Sequence, residues 1–185
     1  MQASFWHGPF LAQQVPTVTS LFPAFLAEAR PERVLEIGTG YGGFTYLLHQ
    51  SLSVPILSCD VHLFSPDVVR FCQWHQADVF DPSFLSEVIL PFLGPRGRSL
   101  VLCDGSDKIN EFKLLAPYLQ KGDLIMAHDY CDSRSLFNEH YLGKVWDWCE
   151  ITHSDISDCI EECGLRPHVW HSKLQEIMWC CYERV

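Results

Sequence analysis

Apolar and polar positions switch between two periods along most of the chain, and the switches mark its elements. Residues 34–37, 55–60, 99–104 and 123–129 are short, nearly continuous apolar runs, each ending in or beside an acid. Such runs read as strands buried on both faces. Between them lie stretches with helical spacing. One covers 43–50, and a second runs from Pro66 to about Trp74 with Ser65 as its cap. A third, 83–92, carries Phe84, Leu85, Val88, Ile89 and Phe92, and a fourth covers 108–119. A short strand ending near Ala77-Asp78-Val79-Phe80 completes five β units. Later, Thr152-x-x-Asp155 opens a helix through Cys163 that Gly164 stops. Strands at 168–173 and 177–183 follow, and the three residues between them leave no room for a helix, so they pair as an antiparallel hairpin. The predicted fold class is α/β: a doubly wound, mostly parallel seven-stranded sheet ending in an antiparallel hairpin. It forms one domain over 1–185, led by an N-terminal arm and helix over 1–30.

Composition narrows the functional classes. Hydrophobic residues make up 48% and charged residues 19% of the 185 positions, a globular balance. The formal charge of −10 disfavours a nucleic-acid backbone as partner. No apolar run approaches a membrane span, and the N-terminus lacks the basic and apolar regions of a signal peptide, so the reading is cytoplasmic with no membrane partner. The nine cysteines are odd in number and include no C-x-x-C. Cys59 and Cys103 sit inside strand-like runs, which points to reduced, buried thiols rather than disulfides or zinc. A homodimer is left open.

The candidate chemistry begins at Glu36-Ile37-Gly38-Thr39-Gly40-Tyr41-Gly42-Gly43. A strand that passes through a glycine-rich loop into a helix sets backbone N–H groups beside a nucleotide-like ligand. Gly38-x-Gly40-x-x-Gly43 satisfies the dinucleotide fingerprint, with Asp60 placed 20 residues after Gly40. Glu36 tilts the choice away from a dinucleotide, because a carboxylate there repels a pyrophosphate and attracts a sulfonium and an ammonium. The motif, with Glu36, Gly38, Gly40 and Gly42 in place, resembles the first motif of the class I S-adenosylmethionine-dependent methyltransferases. The resemblance implies that S-adenosylmethionine lies along Glu36, Gly38, Thr39, Gly40, Tyr41 and Gly42. It places the ribose on Asp60 beside Val61, and the adenine on Asp78 and Val79. Phe80, His62 and Phe64 offer apolar walls to the purine.

The fourth and fifth strands end in Asp104-Gly105-Ser106-Asp107-Lys108 and His128-Asp129-Tyr130. This arrangement resembles the metal-dependent O-methyltransferases of the catechol type, and more closely the cephalosporin-hydroxylase-like and sugar O-methyltransferase branch. It implies a site at Asp104, His128 and Asp129 for Mg²⁺ or another divalent cation, with Lys108 or His128 taking a proton from the acceptor. Two departures stand out. Tyr130 stands where the catechol type has an asparagine, and His128 stands where the sugar enzymes have an acid. A metal-free site with His128 as general base therefore remains the alternative. Asp104 also counts among the cofactor residues. Residues 130–150, with Phe137, Tyr141, Trp146 and Trp148, are expected to form a lid over the acceptor. The expected activity is O-methylation of a hydroxylated small molecule. A cofactor-binding module without turnover, or an NAD-linked oxidoreductase, would be the other readings.

Overall fold

Four apolar segments form the centre of one sheet, and three more mixed ones flank them. The computed structural model describes residues 4–185, so the first three residues of the predicted arm lie outside the described residues. The strands are β1 (Arg33–Ile37), β2 (Ile56–Asp60), β3 (Gln73–Gln76), β4 (Ser99–Cys103), β5 (Leu124–Ala127), β6 (Leu165–Pro167) and β7 (Tyr182–Arg184). Their order across the sheet is β6-β7-β5-β4-β1-β2-β3, and β7 alone runs against its neighbours. The four central strands are buried throughout apart from the last residue of β2, and this follows from their unbroken apolar runs.

Successive strand residues face opposite layers. Val34, Leu100 and Met126 pack with Phe22, Phe25, Phe44 and Leu48 from helices α1 (Val18–Ala29) and α2 (Gly43–Ser51). Leu35, Val101 and Ile125 pack on the other face with Phe84, Ile89, Phe112 and Ile156. That second layer comes from helix α3 over 82–93, α4 (Lys108–Leu115) and the later helix His153–Glu162. Each fully buried Leu or Phe contributes roughly 1.5–3 kcal/mol.

Four elements differ from the sequence expectation. The predicted helix from Pro66 is a 3-10 turn, Pro66–Arg70, because Gln73 and Trp74 are already paired with Leu57 and Ser58 in the sheet. The third strand is therefore Gln73–Gln76, and Ala77–Phe80 forms the turn after it. Polar Gln73 and Gln76 suit this edge position. Helix α4 stops at Leu115 and tightens to a 3-10 turn at Ala116–Tyr118, where Pro117 has no N–H to give.

The largest correction concerns the terminal hairpin. Its strands are Leu165–Pro167 and Tyr182–Arg184, whereas His171–Leu174 and Gln175–Ile177 are helical. The hairpin partners, antiparallel as expected, are thus joined by a long packed connection. Leu174, Ile177, Met178 and Trp179 are all fully buried in it. Burying four such side chains, at roughly 1.5–3 kcal/mol each, outweighs longer strand pairing at roughly 0.2–1 kcal/mol per cross-strand pair. The predicted arm forms a hairpin of Phe5–His7 and Phe10–Ala12 that leads into α1. Among the described residues, no helix is long and apolar enough to cross a membrane. All nine cysteines are free, and Cys72 is the one not buried.

Candidate active site

The sheet order reverses between β1 and β4, and a ligand crevice is expected outside the carboxyl ends of the strands at such a point. A cavity of about 560 Å³ lies there. Its walls include residues 38–43 of the glycine loop, Asp60, Val61 and His62 after β2, and Ala77–Phe80 after β3. Asp104, Lys108, His128 and Asp129 close its other end. Every residue expected at the cofactor or the reacting centre therefore lines one cavity, with a single exception.

That exception is Glu36, which is fully buried and is not part of the cavity wall. Oε2 accepts from Ser58 Oγ at 2.5 Å and from Thr45 Oγ1 at 2.7 Å, while Oε1 has no hydrogen-bond partner among the described residues. Burial, working against those two hydrogen bonds, pushes its carboxyl up to about 8. Glu36 is thus mostly neutral near pH 7, and the attraction for a sulfonium or ammonium expected from its charge does not arise that way. Instead it anchors the loop from beneath. Thr39 Oγ1 lies 2.6 Å from Ser58 Oγ, and the Trp74 indole N–H donates to Thr39 at 3.2 Å. One buried chain of hydrogen bonds thereby ties the glycine loop to β2, β3 and α2.

Asp60 holds the loop from its open side. It accepts from Gly40 N–H at 2.9 Å and from His62 N–H at 3.0 Å. Asp78 similarly accepts from Phe80 N–H at 3.0 Å and shapes the turn around Val79. At Gly38, φ is +90° and an added Cβ would meet the Asp104 carbonyl at 2.2 Å. Glycine lets the loop pass directly against the end of β4. Tyr41 and Phe64 pack at 5.1 Å between centroids on the rim.

The reacting end is denser than the motifs suggested. His128 Nδ1 lies 3.0 Å from Asp104 Oδ1 and 3.5 Å from Asp129 Oδ1. A carboxylate only accepts, so Nδ1 carries the proton. Nε2 is buried and has no partner among the described residues. The ring is flanked by Trp179 at 4.9 Å and Trp146 at 5.3 Å. Trp146 donates its indole N–H to Asp129 Oδ1. Asp129 itself sits at φ +56°, a left-handed conformation that acid side chains tolerate better than most.

Lys108 Nζ reaches Glu150 Oε2 at 2.7 Å, Gly105 O at 2.8 Å and Asp129 Oδ2 at 3.0 Å, with Asp104 Oδ1 at 3.9 Å. Burial works to lower its pKa, but the charges of Asp104, Asp129 and Glu150 prevail and raise it. Its three N–H donors are engaged, and these charges favour the protonated form. The same opposing effects act on His128. Burial lowers its pKa, Asp104 and Asp129 raise it, and the net shift is upward. In Asp129 burial raises the pKa, but His128 and Lys108 outweigh it and the result is lowered.

Three contributors escaped the sequence reading. Gln14, from the N-terminal arm, donates Nε2–H to Asp104 Oδ2 at 2.8 Å. Trp179, from the connection before β7, donates to Gln14 Oε1 at 2.9 Å. Glu150 lines the cavity beside Trp148 and holds Lys108. Tyr130, by contrast, turns away from the cavity and donates to Asp132 at 2.8 Å. Within residues 130–150, Phe137 is core, while Trp146, Trp148 and Glu150 reach the cavity wall.

A parallel sheet whose one reversed strand, β7, is inserted between β5 and β6 distinguishes this architecture from the dinucleotide-binding one. No protein-family model matches the sequence, and no curated protein matches it. Solved structures do. The fold is similar to apo CmcI, with a TM-score of 0.62 at 13% identity over 92% of this chain and 71% of that one. It is also similar to the MycE methyltransferase from the mycinamycin biosynthetic pathway, in complex with Mg, SAH (S-adenosylhomocysteine) and mycinamycin VI. There the TM-score is 0.59 at 19% identity, over 90% of this chain and 49% of that one. The fold is that of the class I S-adenosylmethionine-dependent methyltransferases. A ribosomal protein L11 methylase from Lactobacillus delbrueckii subsp. bulgaricus shares this methyltransferase fold at a TM-score of 0.55 and 11% identity, over 91% and 77% of the two chains. The chain spans about half the length of MycE. A mycinamycin-pathway enzyme and a ribosomal protein L11 methylase on one methyltransferase fold show that the fold does not choose the acceptor.

Proposed function

We propose that this protein transfers a methyl group from S-adenosylmethionine to the oxygen of a hydroxylated small molecule. The observation that carries the reading is the union, in one 560 Å³ cavity, of the glycine loop, the strand-end acids Asp60 and Asp78, and the His128 cluster. The residues present fit the cofactor. The Asp60 carboxylate suits the ribose hydroxyls, Asp78 with the Val79 backbone suits the adenine edge, and Tyr41, Phe64 and Phe80 supply apolar surface. Bound there, S-adenosylmethionine supplies an electrophilic methyl carbon for in-line displacement by an acceptor oxygen.

The chain's own residues orient that oxygen and take its proton. Asp104 holds Nδ1–H of His128, so in the neutral ring Nε2 is the lone-pair atom that would take the hydroxyl proton as the O–CH₃ bond forms, and the raised pKa of the ring confines that neutral form to higher pH. Lys108 stays protonated and balances the carboxylates around it. Trp148 and Glu150 bound the space for the acceptor. The sheet order favours this reading over a NAD-linked one, because the reversed β7 belongs to the methyltransferase sheet.

A divalent cation at Asp104, His128 and Asp129 fits less well. One ligand atom from each lies within 4.8 Å of the others, a spacing that suits a cation. Yet all four carboxylate oxygens already meet an N–H donor: His128 and Gln14 at Asp104, Trp146 and Lys108 at Asp129. Nδ1 of His128 points its proton, not a lone pair, into the cluster.

The direct test is calorimetric titration with S-adenosylhomocysteine, with NADH as the parallel ligand. Saturable binding of S-adenosylhomocysteine alone is expected. Binding of NADH alone, or of neither, would overturn the cofactor assignment.

A further inference from the structure

The strand-end carboxylates need a positive partner. Asp129 is nine-tenths buried and Asp104 nearly so, and an isolated buried carboxylate is costly unless paired. The partner is part of the chain. The Lys108 ammonium has three N–H donors and three acceptors within 3.0 Å: Glu150 Oε2, Gly105 O and Asp129 Oδ2. Its stem rises from the first residue of α4, and its side chain is 6% exposed. The geometry is that of a saturated internal cation site, built from β4, α4, the end of β5 and the segment before Thr152.

We propose that Lys108 takes the place of a divalent metal in this cleft, so that the wild-type protein binds none there and removal of the ammonium creates a metal site. This deepens the methyltransferase reading above, but its test needs no turnover. A dication entering between Asp104 and Asp129 would have to displace the ammonium from Asp129 or sit within a few ångströms of it. Either way it loses the attraction of one carboxylate or gains repulsion from a buried charge. With the ammonium gone, Asp104, Asp129 and Glu150 present three carboxylates around one space, and oxygen ligands of this kind suit Mg²⁺ or Mn²⁺.

The experiment is titration with Mn²⁺ followed by electron paramagnetic resonance, on the full chain as wild type, Lys108→Met and Lys108→Met/Asp129→Asn. Methionine keeps the apolar stem and removes the charge. The expected result is at least about tenfold tighter Mn²⁺ binding in Lys108→Met than in wild type, with the gain lost in the double variant. Heat denaturation gives a second readout: Mn²⁺ should raise the melting temperature of Lys108→Met and not that of wild type. A stoichiometric wild-type site abolished by Asp129→Asn would overturn the proposal. So would equal, weak binding by wild type and Lys108→Met, because the carboxylates would then form no cation site. Lys108→Gln serves if the methionine variant does not fold. S-adenosylhomocysteine binding by wild type, measured alongside, separates failure of this proposal from failure of the cofactor assignment.

Discussion

Trp179 donates its indole N–H to Gln14 Oε1, and this decides which way the Gln14 amide faces. Indole nitrogen can only donate, so the amide oxygen must turn to it and Nε2–H must turn to Asp104. Gln14→Leu would leave the Trp179 N–H and one Asp104 oxygen unpaired. The expected loss is about 1–3 kcal/mol for each buried group left without a partner. Urea unfolding of the variant checks the size, and a change in tryptophan fluorescence of the native state checks the place. Unchanged stability would mean that the Gln14 bridge contributes nothing to the fold.

Glu36 makes the stability of the protein depend on pH in an unusual direction. Its folded pKa of about 8 lies above the ordinary 4.5, so the folded state holds a proton that the unfolded chain has already released. The unfolded state binds fewer protons across that window, and stability from this group therefore falls as pH rises from about 4.5 to 8. Glu36→Gln should flatten the fall. Urea midpoints of the two proteins, measured at steps across this range, give the comparison, and parallel curves would show that Glu36 is ionised in the fold.

Asp60 has two backbone donors in the free protein and is expected to gain the ribose hydroxyls when cofactor binds. Asp60→Ala should weaken S-adenosylhomocysteine by about 1.5–3 kcal/mol, the range for hydrogen bonds to a charged group. Asp60→Asn should lose less. Calorimetry on the three proteins would show equal affinities if the ribose lies elsewhere.

Gly43 is pressed against the N-terminal hairpin. A Cβ at this position would lie 2.5 Å from the Leu11 carbonyl and 2.6 Å from Ala12 N, so Gly43→Ala must push the hairpin outward. Amide exchange in residues 5–12 should accelerate by more than in the central strands. Since Leu11 and Ala12 line the cavity, S-adenosylhomocysteine should also bind less tightly. Unaltered exchange would mean that the loop, not the hairpin, gives way.

Much of this architecture was legible because its signals are local. The glycine loop, the apolar runs of β1, β2, β4 and β5 and the acids that end them lie within single short segments, and the cavity gathers those residues as expected. Glu36 points to the cofactor class by its charge in the sequence, whereas in the fold burial leaves that group mostly neutral behind the wall. What separates the two cofactor folds is the reversed β7, whose own position was misplaced because residues 168–173 resemble a strand while the core beneath needs Trp179 and Ile177. Gln14, Trp179 and Glu150 carry no local mark at all. Their contacts span 90, 165 and 42 positions, beyond the reach of any periodicity.

The buried cysteines have a practical consequence. Eight of the nine thiols are buried, leaving Cys72 as the one with partial access. Burial pushes the thiols of Cys59, Cys103, Cys180 and Cys181 up, and that of Cys72 to about 12, so even the accessible thiol reacts slowly and the others poorly. Chemical labelling of the folded protein should therefore pause after one modification. The remaining eight, on β2, β4, the approach to β7, at Cys131 and Cys149 and along the helix that carries Cys159 and ends at Cys163, then react only as the fold comes apart, and the molecule keeps time on its own opening.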